Sequence, residues 1–318
     1  MIKDSSNAPV KVLYIAGETR SGSTLLDCML GETGSFFSTG ELFLIWRQGF
    51  MQDLLCGCGK KIRDCEFWGA VIHKAFDGWS LVDPVEAESA WLTIARLRHF
   101  PLMFFPPGWL RAEQGQSVAK LATYWGGLYR AIQKVSGCRV VVDSSKSPMG
   151  AFFLNQIPGV ELYVLHLVRD SRAVVYSSQR KKIRPEVTDK EAYLLRQSSV
   201  KASVFWAANN WVTGRLRGKN PRYLRLQYER LVERPKQVLE EIGNFVGVPL
   251  SLEMFIEEHT IRVNQNHTVA GNPNRFKQGK IEITLDNEWR LKMPWLKRTT
   301  VTALTGPQLL HYGYFRKN

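Results

Sequence analysis

A chain of 318 residues with 44% apolar content can bury a substantial core, and residues 1–318 read as a single α/β domain with an insertion at about 45–137. Its 43 Lys and Arg against 29 Asp and Glu leave a formal charge of +14, which calls for an anionic partner. Zinc-finger spacing, RNP-like aromatic strands and basic coiled-coil regions are all missing, which argues against nucleic acid. No stretch approaches the roughly eighteen apolar residues of a membrane span, and no leader-like pattern opens the sequence, so a soluble cytoplasmic protein is expected.

The first element is an apolar strand, Val12 to Ile15. It runs into Gly17-Glu18-Thr19-Arg20-Ser21-Gly22-Ser23-Thr24 and then a helix from Ser23 to Leu30. A short strand-like Phe36-Phe37-Ser38 brings the chain back to Gly40-Glu41. The insertion follows, rich in Trp, Phe, Pro and Cys, with helices expected at Pro84 to His99 and at Val118 to Ser136, the latter closed by Gly137. It can roof a site or flank the core. Its aromatic residues Trp46, Phe50, Trp68, Trp91, Phe104, Phe105 and Trp109 suit core packing better than an acceptor pocket. Cys56, Cys58 and Cys65 cluster in the same stretch and can ligate zinc with His73 as a fourth ligand. The close spacing of the first pair favours a local disulfide, Cys56–Cys65 or Cys58–Cys65, over zinc, and plain packing over both.

Further strands are expected at Arg139 to Val142, Leu162 to Val168 and Tyr223 to Leu226. Thr188 with Glu191 forms a capping box for a long helix to about Leu216, and Pro235 begins another that ends near Gly247. Alternation of strands and helices implies a central parallel β-sheet flanked by helices, a three-layer P-loop-like fold with a largely helical insertion. A Gly, Asn and basic loop spans Gly271 to Lys280.

The segment from Gly17 to Thr24 has the outline of a phosphate-binding loop without its lysine, since Ser23 stands in that place. What survives is a glycine turn and a helix N-terminus, still an anion cradle, with Arg20 as the replacement cation. Arg169 leaves the strand Leu162 to Val168 where open parallel sheets bind ligands, and Ser177 follows two helical turns later. The two can grasp a phosphate from two directions. Two anion sites facing one crevice suit a ligand phosphorylated at both ends of an adenosine.

These residues carry a resemblance. Arg20-Ser21-Gly22-Ser23-Thr24-Leu25-Leu26, Leu167 to Val174 with Ser177, and Tyr228-Glu229-Arg230-Leu231 resemble the sulfotransferase superfamily that uses 3′-phosphoadenosine 5′-phosphosulfate (PAPS). The match spans residues 12 to about 290 and is nearest the bacterial and Golgi-type branch, in which a Gly-Glu pair, here Gly40-Glu41, follows the first helix. The resemblance implies that Gly17, Arg20, Ser21, Gly22, Ser23 and Thr24 hold the 5′ end of the donor. By the same likeness Arg169 and Ser177 hold the 3′-phosphate, with Arg275 and Lys277 in a segment closing over it; Tyr228 either faces the adenine or packs beneath the sheet. The histidine that the cytosolic branch carries after the second strand is missing from Val142-Asp143-Ser144-Ser145-Lys146.

Sulfuryl transfer needs a base for the acceptor proton and cations for the departing phosphate, and the motif requires no metal. Glu41 is the expected base, with Arg20 and Lys146 as the cations; Ser38 to Glu41 also fits a helix-capping box. His166, inside an apolar strand, reads as a core residue, and His267 is the reserve base. The acceptor is expected to be a hydroxyl or amine of a small molecule or glycan. Two competing readings are a nucleotide kinase or hydrolase with a displaced lysine and a polyanion-binding protein without chemistry.

Overall fold

The computed structural model describes residues 8–104, 112–187, 192–193 and 196–315. Strand β1 (Val10–Gly17) leads into helix α1 (Ser23–Gly31) and a short β2 (Phe36–Ser38). Helices α2 (Glu66–Phe76), α3 (Pro84–Ile94) and α4 (Ala112–Ser136) fill the segment before β3 (Val140–Lys146). Helix α5 (Pro148–Leu154), β4 (Val160–Val168), α6 (Ser171–Gln179), α7 (Ser199–Arg215) and β5 (Tyr223–Gln227) complete the central layer. The five strands are parallel, in the order β2-β3-β1-β4-β5. Beyond them lie α8 (Tyr228–Glu233) and α9 (Pro235–Val246), an antiparallel sheet of β6 (Phe255–Glu257), β7 (Thr260–Val263) and β8 (Gly279–Glu282), and the helices α10 (Glu288–Lys292) and α11 (Trp295–His311).

The near-continuous apolar run of β1 follows from burial on both faces. Alternate residues Val12, Tyr14 and Ala16 join a cluster with Trp46, Trp68, Trp91 and Trp125. Leu13 and Ile15, pointing the other way, pack with Leu26, Met29 and Leu30 of α1 and with Val238, Leu239 and Ile242 of α9. Trp46, Phe50, Trp68 and Trp91 are therefore core, as their spacing suggested. Phe105 and Trp109 lie outside the described residues.

Several boundaries differ from those read in the sequence. β3 continues through Asp143-Ser144-Ser145-Lys146, polar residues that are all buried. α3 stops at Ile94, before a separate tight helical stretch at Leu97–Phe104. The long helix begins at Ser199, where the Ser198 hydroxyl accepts the Lys201 N–H at 3.3 Å; the capping box of Thr188 and Glu191 lies outside the described residues. Among the described residues no helix is long and apolar enough to cross a membrane.

Candidate active site

The C-terminal ends of β1, β3 and β4 open on a cleft of about 620 Å³. Between β1 and α1 the chain turns through Gly17 (φ 137°), Arg20 (φ 66°) and Gly22 (φ 92°), the last serving as N-cap of α1. At both glycines a side chain has no room. A Cβ on Gly17 would come 2.6 Å from the Leu167 carbonyl oxygen, and one on Gly22 would enter the Tyr228 ring. Glu18 anchors the turn, accepting from Thr19 N–H and from Asn209 Nδ2 of α7 at 2.5 Å. The N–H groups of Ser23 and Thr24 make no hydrogen bond among the described residues and sit at the positive end of α1. Thr24 Oγ1 accepts the Asn272 N–H, so the late Gly-Asn loop meets the first turn of α1.

Arg169 follows β4 and is buried, its guanidinium stacked 4.5 Å over the Tyr228 ring. It donates to the Arg20 carbonyl at 3.1 Å and lies 3.4 Å from an Asp286 carboxylate oxygen, while its Nε is buried without a partner. Ser177, on α6, lines the same cleft. Lys277 lines it as well.

Glu41 and Lys146 face each other across the cleft floor. Lys146 ends β3 at φ 69°, and its Nζ donates to Glu41 Oε1 at 2.6 Å and to the Ser144 carbonyl at 3.0 Å. The capping box is not formed: Ser38 Oγ donates to Asp27 Oδ2, and the Glu41 carboxylate takes Lys146 instead. A Cβ on Gly40 would meet the Ala270 carbonyl, which accepts the Glu41 N–H at 3.2 Å. Glu41 is thus pinned from β3 and from the segment around Ala270.

Sequence reasoning missed Arg180 and Lys182, which also line the cleft. The signal was present as the basic run Arg180-Lys181-Lys182 directly after α6. Arg180 is paired with Asp286 at 2.9 Å, whereas burial, aided by Arg20 and Arg180, lowers the Lys182 pKa from its ordinary value. Arg20 shows the same pattern: burial foremost, and Arg180 beside it, lower its pKa against the pull of Glu41. Burial and neighbouring cations both disfavour the charged forms of Arg20 and Lys182, and an anion placed beside them would favour those forms.

Two residues sit elsewhere than their expected roles require, while His166 is where the sequence put it. Arg275 is buried and spends its guanidinium on the carbonyls of Thr268 at 2.6 Å and Leu55 at 2.8 Å, so it braces a loop and does not line the cleft. His267 lies against Cys56 and Cys65, outside the cleft, and so is not placed to act as reserve base. His166 is core, hydrogen-bonded to Tyr223 and Asn210, with burial pushing its pKa down to about 4.

A central parallel sheet with a lysine-free phosphate-type loop on one strand and a buried arginine on its neighbour defines a P-loop-like α/β fold. Residues 12–294 match the family model described as sulfotransferase domain, and the chain belongs to that family. Carbohydrate sulfotransferase 3 of Mus musculus is 26% identical over 176 residues, covering 49% of this chain and 34% of that protein. Its Homo sapiens counterpart is 27% identical over 181 residues, covering 51% and 35%. The chain spans about a third of the length of these curated relatives. Among solved structures, the sulfotransferase domain of the Synechococcus PCC 7002 olefin synthase superposes with a TM-score of 0.51 at 22% identity, covering 96% of this chain and 97% of that one. The sulfotransferase domain from the curacin biosynthetic pathway gives 0.52 at 19% identity, covering 95% and 98%. At these identities the likeness is one of fold.

Proposed function

We propose that the chain transfers a sulfuryl group from PAPS to a hydroxyl or amine of a small-molecule or carbohydrate acceptor, with Glu41 as general base. The observation that supports this best is the convergence of two anion sites and one carboxylate on a single cleft: Arg20 with the α1 N-terminus, Arg169 with Ser177, and Glu41. The buried, unpartnered Nε of Arg169 and the free N–H groups of Ser23 and Thr24 fit a ligand bearing phosphate at two places. When bound, the donor supplies an activated sulfuryl group and a phosphate leaving group. Arg20, Ser23 and Thr24 would hold its 5′ end, and Arg169 and Ser177 its 3′-phosphate.

The chain's own part is then electrostatic and positional. Only Oε1 of Glu41 is bonded to Lys146, leaving Oε2 to accept the acceptor's proton. Lys146 fixes that carboxylate and, with Arg20, places positive charge where the departing phosphate gains negative charge. A glycan acceptor is the narrower reading, favoured by the carbohydrate sulfotransferase relatives.

Calorimetric titration with adenosine 3′,5′-bisphosphate beside ADP, each with and without magnesium, tests the donor class. Magnesium-independent binding of the bisphosphate, tighter than ADP, is the expected result. Preference for ADP with magnesium would overturn the proposal in favour of nucleotide chemistry.

A further inference from the structure

Outside the cleft lining, two stretches about two hundred residues apart bring four soft donors together. The Sγ atoms of Cys56, Cys58 and Cys65 and a ring nitrogen of His267 all lie within 4.8 Å of one another. Cys58 and Cys65 are 3.7 Å apart, Cys65 Sγ is 3.2 Å from His267 Nδ1, and Cys56 Sγ is 3.9 Å from the same nitrogen. Zinc bonds of about 2.3 Å to sulfur and 2.0 Å to nitrogen give tetrahedral edges of roughly 3.8 Å and 3.6 Å. We propose that Cys56, Cys58, Cys65 and His267 hold one zinc ion in a closed structural site.

Sequence spacing alone disfavours this, because Cys56 and Cys58 are closer in the chain than most zinc-binding pairs and His73 is the nearer histidine. The fold supplies what spacing lacks. Gly59 (φ 85°) turns the chain so that its N–H reaches the Cys56 carbonyl, and the Cys56 N–H reaches that of Lys60. Gly57 lies so close to the other stretch that a Cβ there would strike the Asn266 side chain, and its N–H donates to the Thr268 carbonyl at 2.9 Å. Cys65 then stands at the N-cap of α2, where the helix end favours a thiolate.

The imidazole is held ready as a ligand. Its ring stacks on Phe67 with centroids 5.0 Å apart, and the His267 carbonyl accepts the Trp68 indole N–H at 2.8 Å. Plain packing accounts for buried thiols but not for an imidazole nitrogen turned to two of them with the third sulfur beside it. A disulfide would use two sulfurs and leave the third thiol and the histidine without purpose. Three thiolates and one imidazole select zinc among the abundant divalent ions. Four protein donors leave no open position, so the ion has no part in group transfer. Its role is to clamp the loop before α2 onto residues 264–272, the stretch that braces Glu41 through Ala270 and Thr24 through Asn272.

Elemental analysis of untagged protein purified under reducing conditions tests the site without any activity assay. One zinc per chain is expected in the parent, with less than a tenth of that in Cys65→Ser. Should Cys65→Ser fail to fold, cobalt(II) exchanged into the parent provides the second reading: intense tetrahedral d–d bands with thiolate-to-cobalt charge transfer are expected. His267→Ala should weaken cobalt affinity at least about tenfold and alter those bands. A reduced parent chain that carries no zinc and takes up neither zinc nor cobalt overturns the proposal, as does a Cys58–Cys65 disulfide in the freshly isolated protein. Parental cobalt affinity and spectrum in His267→Ala would remove the histidine from the site and overturn the assigned ligand set.

Discussion

Lys146 chooses between two acids. Glu41 receives its ammonium at 2.6 Å, whereas Asp27, fully enclosed, accepts one hydrogen bond from Ser38 and leaves Oδ1 buried without a partner. If Glu41 is the base, Glu41→Gln keeps its shape and loses its basicity: affinity for adenosine 3′,5′-bisphosphate should hold within a few-fold while turnover falls by roughly 10²–10⁴. Turnover at the parental rate would remove Glu41 from that role. Asp27 makes a different prediction. Burial raises its pKa to about 7, despite the opposing Ser38 bond and the Lys146 charge. An unfolded aspartate releases its proton near pH ~3.9, so between that pH and 7 the folded chain keeps a proton that the unfolded chain has shed. Its contribution to stability is therefore fully present below the unfolded value and is lost as pH rises through the folded one. Asp27→Asn cannot ionise, so denaturant titrations should show it gaining on the parent by up to ~3 kcal/mol between pH 5 and pH 8. An equal stability difference at both pH values would show that Asp27 does not hold its proton there.

The stretch from Asn264 to Phe276 shows at the level of elements why a basic loop can mislead. Gly, Asn, Arg and Lys in one run read as an anion-binding segment, and Lys277 does line the cleft, but the Arg275 guanidinium satisfies carbonyls of Thr268 and Leu55. Arg275→Met should therefore lower stability by ~1–3 kcal/mol, the cost of leaving buried carbonyls unpaired. Bisphosphate affinity per folded molecule should fall by less than about threefold; a loss of affinity at unchanged melting temperature would return Arg275 to the donor site. Local signals were legible in the sequence for a physical reason. The apolar strands β1 and β4 are buried on both faces, and Arg169 with Ser177 is set by a strand end and the helical repeat, both short-range properties. The tail of β3 was hidden because Asp143-Ser144-Ser145-Lys146 is polar yet buried, with Asp143 satisfied by Tyr129 and Ser145. The small β6-β7-β8 sheet went unread because its strands are brief and partly exposed. The approach of His267 to Cys65 and of Arg275 to Leu55 depends on contacts across some two hundred residues, which no local pattern encodes.

For the molecule as a whole, the net charge of +14 admits two explanations, a diffuse basic surface or a concentrated anion site. The gathering of Arg20, Arg180 and Lys182 in the cleft, with burial foremost and neighbouring cations next lowering the pKa of Arg20 and of Lys182, favours the second, because a surface kept basic for solubility would spread its cations apart. A ligand that brings negative charge into this cleft relieves that repulsion only in the folded state, so its binding adds to stability by linkage. At one hundred times its dissociation constant, adenosine 3′,5′-bisphosphate should add ~2.7 kcal/mol. With an unfolding entropy near ~2.1 cal/mol/K per residue, that corresponds to a rise of roughly 4 °C in melting temperature for a chain of this length. If the ligand's phosphates are held within the partly enclosed cleft, where screening is weak, the rise at 0.5 M salt should shrink at fixed ligand concentration without vanishing. A polyanion gripped by scattered surface charge behaves otherwise, since its affinity falls steeply and continuously with salt. Thermal melts with the bisphosphate and with heparin, each at low and high salt, separate the two cases. Stabilisation by heparin alone, abolished by salt, would mean that the charge serves the surface and that the cleft does not bind the donor.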